Sequence, residues 1–311
     1  MILFKSGTTA TSVTTPEGLT LRVESIAGPH GDGAAGDRPD DAAAAVVIPL
    51  ASWTMPDLAP LAEGRRLIAY DPRGRGGSDP VGVSERVGFD ADVADLETVR
   101  AAFGLERMVL VGWSYYGGMV ARYARAYPAR IARLVQLCPI PLRRVPWFGQ
   151  GAQAVASRVN ATAMTAVQAS VRSGAALRDP ERFCRTWHRA MIPAYATRPD
   201  ALDRMRAHPC RWPNEHPLRL NAQLGRIWQE LGDWDWRADV AALDVPRLVL
   251  HADGDFQPRA SAEEWAMGRG AQLEVITGAG HLSWLDRPDE VLEVVARFVT
   301  GGQADGRTGG Q

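Results

Sequence analysis

The chain has 311 residues, 46% of them apolar, which is enough to bury a full core and excludes a globally disordered polypeptide. Its 35 basic and 36 acidic side chains nearly cancel, so the basic excess that a nucleic-acid partner wants is missing. Three cysteines, Cys138, Cys184 and Cys210, are too few and too scattered for a disulfide framework or a zinc site, and no metal or organic cofactor is expected. No apolar run is long enough to cross a bilayer, and the opening MILFKSGTTATS lacks the apolar core and cleavage site of a signal peptide. A soluble, cytoplasmic protein without a membrane partner is therefore expected.

In chain order, SVTTPEGLTLRVESIAG (12–28) alternates apolar and polar residues, as a hairpin turning at Pro16-Glu17-Gly18 would. The Gly-, Asp- and Ala-rich stretch 28–43 predicts a mobile surface loop. Four apolar runs follow, at 44–50, 66–70, 108–112 and 133–140, with helical stretches at 91–103 and 116–127 between the last three. Alternating strands and helices predict a parallel sheet with helices on both faces. From 141 to 240 no buried-strand pattern occurs, and six of the ten tryptophans fall there. The strand-helix rhythm resumes with RLVLHAD (247–253), a helix near 260–268, QLEVITG (272–278) and a helix at 288–299. The prediction is an α/β core built from 1–140 and 241–300, a helical cap at 141–240 over the strands' carboxyl edge, and a disordered tail at 301–311.

Ligands of an open parallel sheet bind beyond the carboxyl ends of its strands, so the residues just after each apolar run carry the information. GWSYYGG (112–118) lies between a strand and a helix and resembles the nucleophile elbow G-x-S-x-G, with Tyr116 where the second glycine is expected. Asp253 and Asp255 follow a later strand, and His281 follows the last, in TGAGHLSW. A serine hydroxyl becomes a nucleophile when an imidazole takes its proton and a carboxylate orients that imidazole. The chain order Ser114, Asp253 or Asp255, His281 suits that assembly.

These segments, with YDPRGRGGSDP (70–80) and HADGD (251–255), resemble the α/β-hydrolase superfamily, especially its proline iminopeptidase-like branch. The likeness covers about 44–140 and 245–299. It implies an α/β-hydrolase fold and selects Asp255 as the acid, with Asp253 as the fallback. It also implies an oxyanion hole built from backbone N–H groups, one on Tyr115 and one after the 44–50 strand. There the family's usual His-Gly is replaced by Pro49-Leu50. Proline cannot donate, so Ala51 is the second expected donor. The family reading makes Asp71-Pro72-Arg73-Gly74 a loop brace. It makes Glu215 in the cap a holder of a substrate's amino group, with a solvated helix-end carboxylate as the alternative.

Trp113, Tyr115, Trp147 and Trp284 are candidates for an apolar substrate pocket. A serine at 114 excludes relatives that attack with a carboxylate, and Lys5, the sole lysine, is misplaced for a lysine-dependent lyase. The expected activity is a serine hydrolase (esterase or iminopeptidase-like aminopeptidase) cleaving an ester, thioester or amide of a mostly apolar small molecule or short peptide. A lyase or cyclase on the same fold is the alternative, motivated by the altered oxyanion loop and the tryptophan-rich cap.

Overall fold

A computed structural model describes residues 7–28, 44–55 and 57–301. The predicted 28–43 loop and 301–311 tail fall outside the described residues, apart from Gly28 and Gly301. Among the described residues eight strands form one sheet: β1 (Thr8–Thr14), β2 (Thr20–Ile26), β3 (Ala45–Pro49), β4 (Leu67–Tyr70), β5 (Met108–Trp113), β6 (Ile131–Leu137), β7 (Arg247–Ala252) and β8 (Ala271–Ile276). Their order is β1-β2-β4-β3-β5-β6-β7-β8. β1 and β2 form the expected hairpin, and β2 pairs antiparallel with β4. The other pairings are parallel. Strands β3 to β7 are apolar at successive positions because helices cover both faces of the sheet, so no alternation is needed.

The helices between β3 and β6 are α1 (Ala51–Thr54), α2 (Phe89–Ala102) and α3 (Tyr115–Ala126). Between β6 and β7 stand α4 (Trp147–Arg158), α5 (Ala161–Arg172), α6 (Ala175–Arg178), α7 (Pro180–Tyr195), α8 (Ala201–Arg204), α9 (Pro217–Leu231) and α10 (Arg237–Ala241). After β7 come α11 (Arg259–Trp265), α12 (Ser283–Asp286) and α13 (Pro288–Val299). The long insertion is pinned where it leaves and rejoins the core. Arg144 N donates to Trp234 O, Trp236 N to Leu142 O, and Trp234 Nε1 to Pro141 O at 2.9 Å. Trp234 stacks on Trp236 there, with ring centres 5.5 Å apart. A small cluster of Val167, Ala176, Phe183 and Ala190 gives the insertion an apolar core of its own.

One expectation is overturned. Cys184 on α7 and Cys210 in the turn at Pro209–Arg211 are joined as a disulfide, and Cys138 is the remaining, buried thiol. The pair lies 26 residues apart in sequence, and only the return of the 209–211 turn onto α7 brings the two α-carbons to 5.7 Å.

Candidate active site

The order β4-β3-β5 places the switch point of the sheet between β3 and β5, where the order of strand addition reverses and a crevice opens. Ala51 and Ser114 stand at the ends of those two strands. Ser114 joins β5 to α3 with φ 54° and ψ −122°, a conformation that costs a non-glycine residue on the order of 1–3 kcal/mol. The glycine at 112 makes the turn possible, since a Cβ there would lie 2.3 Å from Tyr116 O. At Gly117 a Cβ would meet Pro139 at 2.9 Å. Tyr116 is tolerated because its carbonyl, and not its side chain, makes the close approach. The ring is buried in the crevice wall, edge-on to Tyr115, and the hydroxyl accepts from Arg75 Nη1 at 3.3 Å.

His281, from the loop after β8, is fully enclosed. Its Nδ1 lies 2.9 Å from Asp255 Oδ1 and its Nε2 lies 2.8 Å from Ser114 Oγ. Asp255 Oδ1 also accepts the Gln257 N–H at 3.0 Å. Burial alone would raise the Asp255 carboxyl, but the facing His281 and these hydrogen bonds hold it below the ordinary aspartate value. Asp253 serves elsewhere: its Oδ1 accepts Gly278 N–H at 2.8 Å and ties the loops after β7 and β8 together. Trp113 Nε1 donates to His281 O at 2.9 Å, which couples the serine's strand to the histidine's loop.

At the end of β3, Leu50 occupies the left-handed region with φ 73° and ψ 53°, where glycine is favoured. The bend lets α1 begin at Ala51. Ala51 and Tyr115 are each the first residue of a helix, so their N–H groups have no acceptor within it and are available to a ligand. Asp71 holds this loop in place, accepting Ser52 N–H at 2.7 Å, Gly77 N–H at 3.0 Å and Arg22 Nη1 at 3.0 Å. Arg73 is braced by Asp95 through a buried two-pronged contact of 2.8 and 2.6 Å.

A cavity of about 410 Å³ opens over Ser114. Its wall is mainly aromatic and aliphatic, with Trp53, Trp113, Tyr115, Trp187 and Trp228 among its lining residues. Trp113 and Tyr115, two of the residues expected at a substrate pocket, are among these. Trp147 is not: it lies beside Arg143, and its Nε1 donates to Glu264 at 3.0 Å, away from the cavity. Trp284 is one layer behind, edge-on to Trp113 at 5.0 Å.

Glu215 requires the largest correction. It is fully buried and does not line the cavity. Arg75 Nε and Nη2 donate to it at 2.9 and 2.8 Å, Gly76 N at 2.7 Å and Trp53 Nε1 at 2.6 Å. With every lone-pair direction engaged, the carboxylate is unavailable to a substrate amine. Burial alone would raise its pKa, but Arg75 holds it below the ordinary glutamate value.

Trp53, Phe256 and His188 are cavity residues that the sequence reading missed. Two of them carried a signal by adjacency, since Trp53 is two residues past Ala51 and Phe256 follows Asp255. His188 sits mid-helix on α7 with nothing in its local pattern to mark it. Among the described residues, two groups of ligand-type side chains converge within 4.8 Å. One is Cys138 with Asp255 and His281, and the other is Cys184 with His188 and Cys210.

Beneath Tyr115 lies a titratable carboxyl. Asp92 accepts the Tyr115 hydroxyl at 2.7 Å, and burial pushes its pKa from near 3.8 up to about 7 despite that bond. An acid whose folded pKa is raised gives stability that is present below the unfolded value and lost as pH rises through the folded one. Wild type is therefore expected to lose stability between about pH 4 and pH 7, and Asp92→Asn to lose less. Urea midpoints at pH 5 and pH 8 check this; the same difference in both proteins would disprove it.

The alpha/beta hydrolase family model matches residues 34–294, well over half of the chain. The chain belongs to the alpha/beta hydrolase family. A non-heme haloperoxidase of Rhodococcus erythropolis is 31% identical over 242 residues, covering 75% of this chain and 82% of that one. A thermophilic esterase of Thermogutta terrifontis superposes with a TM-score of 0.66 at 21% identity, over 94% of this chain and 98% of that chain. A proline iminopeptidase of Mycobacterium smegmatis gives 0.64 at 18% identity, over 94% and 97%. The two structures share the fold with this alpha/beta hydrolase. No helix among its described residues is long and apolar enough to cross a membrane.

Proposed function

We propose that this alpha/beta hydrolase is a cytoplasmic serine esterase for a small, mostly apolar, uncharged substrate. The observation that carries the reading is the continuous hydrogen-bonded line from Ser114 Oγ through His281 to Asp255, opening on an apolar cavity. Ser114 Oγ attacks the acyl carbon while His281 Nε2 takes its proton, and Asp255 stabilises the resulting imidazolium. The N–H groups of Ala51 and Tyr115 receive the oxyanion. His281 then returns the proton to the departing alcohol, leaving the acyl group on Ser114. Water, deprotonated by the same imidazole, releases the acid.

Two features favour an ester over a peptide's free N-terminus. Glu215, the carboxylate expected to hold an ammonium, is sealed by Arg75, and the charged side chain that reaches the cavity is Arg75 itself. The lyase or cyclase alternative was motivated by the Pro49-Leu50 departure and the tryptophan-rich cap; the left-handed Leu50, which leaves Ala51 N–H available, supports the hydrolytic reading.

A fluorophosphonate probe tests the proposal. Wild type is expected to be labelled and Ser114→Ala not, with nitrophenyl butyrate or hexanoate turned over and proline anilide left intact. Unlabelled wild type would refute the serine mechanism and favour the alternative. Rapid anilide turnover would refute the ester preference.

A further inference from the structure

The cap carries a second cluster of ligating atoms that the acyl chemistry does not use. Cys184 and His188 stand four residues apart on α7 and so share one face of that helix, and Cys210 reaches them from the turn at Pro209–Arg211. Their two sulfurs and an imidazole nitrogen lie within 4.8 Å of one another, and all three residues are buried. Nε2 of His188 is enclosed without a hydrogen-bond partner, and so is Nδ1 of His208, two residues before Cys210. The rings of Trp53 and Trp187 flank the His188 imidazole, and neither supplies that nitrogen with a polar contact. Buried polar atoms are normally paired, and this orphaned nitrogen belongs to the same imidazole that meets the two sulfurs, which points to a ligand.

We propose that, when Cys184 and Cys210 are reduced, their sulfurs and the His188 imidazole bind a borderline-soft metal ion of the zinc class. Two thiolates and an imidazole are the donor set of such an ion, whereas magnesium and calcium take oxygen. The three side chains leave the fourth position of a tetrahedral ion to solvent. The disulfide and the metal complex are alternative cross-links between the same two stretches of chain.

The conversion balances with a dithiol reductant: the S–S bond breaks, each sulfur gains a hydrogen, and the reductant closes its own disulfide. Metal uptake then displaces the two thiol protons to solvent. A reducing compartment keeps such a pair as thiols, so the metal would supply there the tether that the disulfide cannot. The tether bears on the cavity. His188 lines it from α7, and the segment after Cys210 carries Glu215, which holds Arg75 and Trp53.

The test uses the full chain, reduced with dithiothreitol and moved anaerobically into reductant-free buffer. Titration with Co²⁺ is expected to saturate at one ion per chain, with a thiolate-to-cobalt charge-transfer band and the strong visible bands of tetrahedral cobalt. Zn²⁺ should displace the cobalt and raise the Tm of the reduced protein. His188→Ala should weaken binding by about 100-fold or more, since even partners one shell out are worth up to that. The double variant Cys184→Ser, Cys210→Ser should lose both the band and the Zn²⁺-dependent rise in Tm, with circular dichroism confirming its fold. A weak octahedral spectrum without a charge-transfer band would overturn the proposal. So would binding that survives the double substitution, or a disulfide that resists the dithiol while the chain stays folded.

Discussion

Asp255→Asn is expected to leave the fold intact and to lower kcat by about 10⁴-fold, and Ser114→Ala by more, on the order of 10⁵- to 10⁶-fold. The reason lies in which nitrogen of His281 holds the proton. With a carboxylate at 2.9 Å, Nδ1 carries the hydrogen, and Nε2 is left as the base facing Ser114 Oγ at 2.8 Å. An asparagine amide turned toward Nδ1 would donate to it, reversing the tautomer so that Nε2 presents a hydrogen to Ser114 in place of a lone pair. Asp255 also accepts the Gln257 N–H, so the side chain has little freedom to evade the change. Ester turnover and probe labelling by the purified variants, beside their circular dichroism spectra, measure the effect. An Asp255→Asn variant retaining more than a tenth of wild-type kcat would rule out this relay, and the double variant with Ser114→Ala should be no slower than Ser114→Ala alone.

Glu215→Ala is expected to be the most destabilising single substitution in the cap, at about 3–5 kcal/mol. It leaves the Arg75 guanidinium buried without its counter-charge and withdraws the acceptor from Gly76 N and Trp53 Nε1 together. Against a total stability of roughly 5–15 kcal/mol, that loss lowers the Tm by on the order of 10 °C. Activity should fall as well, because Trp53 shares the short helix α1 with Ala51, the proposed oxyanion donor. Glu215→Gln keeps the shape and an acceptor oxygen and should fall between wild type and Glu215→Ala. Thermal melts of the three proteins distinguish this role from substrate binding. A carboxylate that merely held a substrate amine would change KM and leave Tm where it was.

Much of this architecture can be read along the chain, for physical reasons visible at particular residues. The strands of the core are short apolar runs because both faces of the sheet are covered. The last helix begins after Arg287 because Pro288 suits a first turn, and it runs to Val299 as its pattern predicts. The proposed catalytic residues could be picked out by the same route, since Ser114, Asp255 and His281 each follow a strand and all strand ends share one edge. The elbow's odd Tyr116 was also interpretable, because Gly112 and Gly117 supply the room at the crossing.

The helical stretch between β6 and β7 was legible in kind and not in detail. A tryptophan's identity says that it will be buried and not which way it faces. Trp147 and Trp284 were therefore candidates, although the first lies against Glu264 and the second behind Trp113. The Cys184–Cys210 pair was invisible for a similar reason, because its partners meet only once the segment after α8 folds back onto α7.

Sequence alone pointed to the family, the order of the strand ends and the residue types proposed for the chemistry. These depend on local periodicity, on glycines at one tight turn and on the chain order of three side chains. The tertiary structure decided what each polar group faces. Glu215 shows the difference most clearly: in sequence it is an acid in a helical cap, free to meet a substrate. In the fold, Arg75 arrives from a loop 140 residues away and takes it. Charge complementarity acts through space, at distances that only the folded chain sets, and so this buried ion pair left no trace in the local pattern.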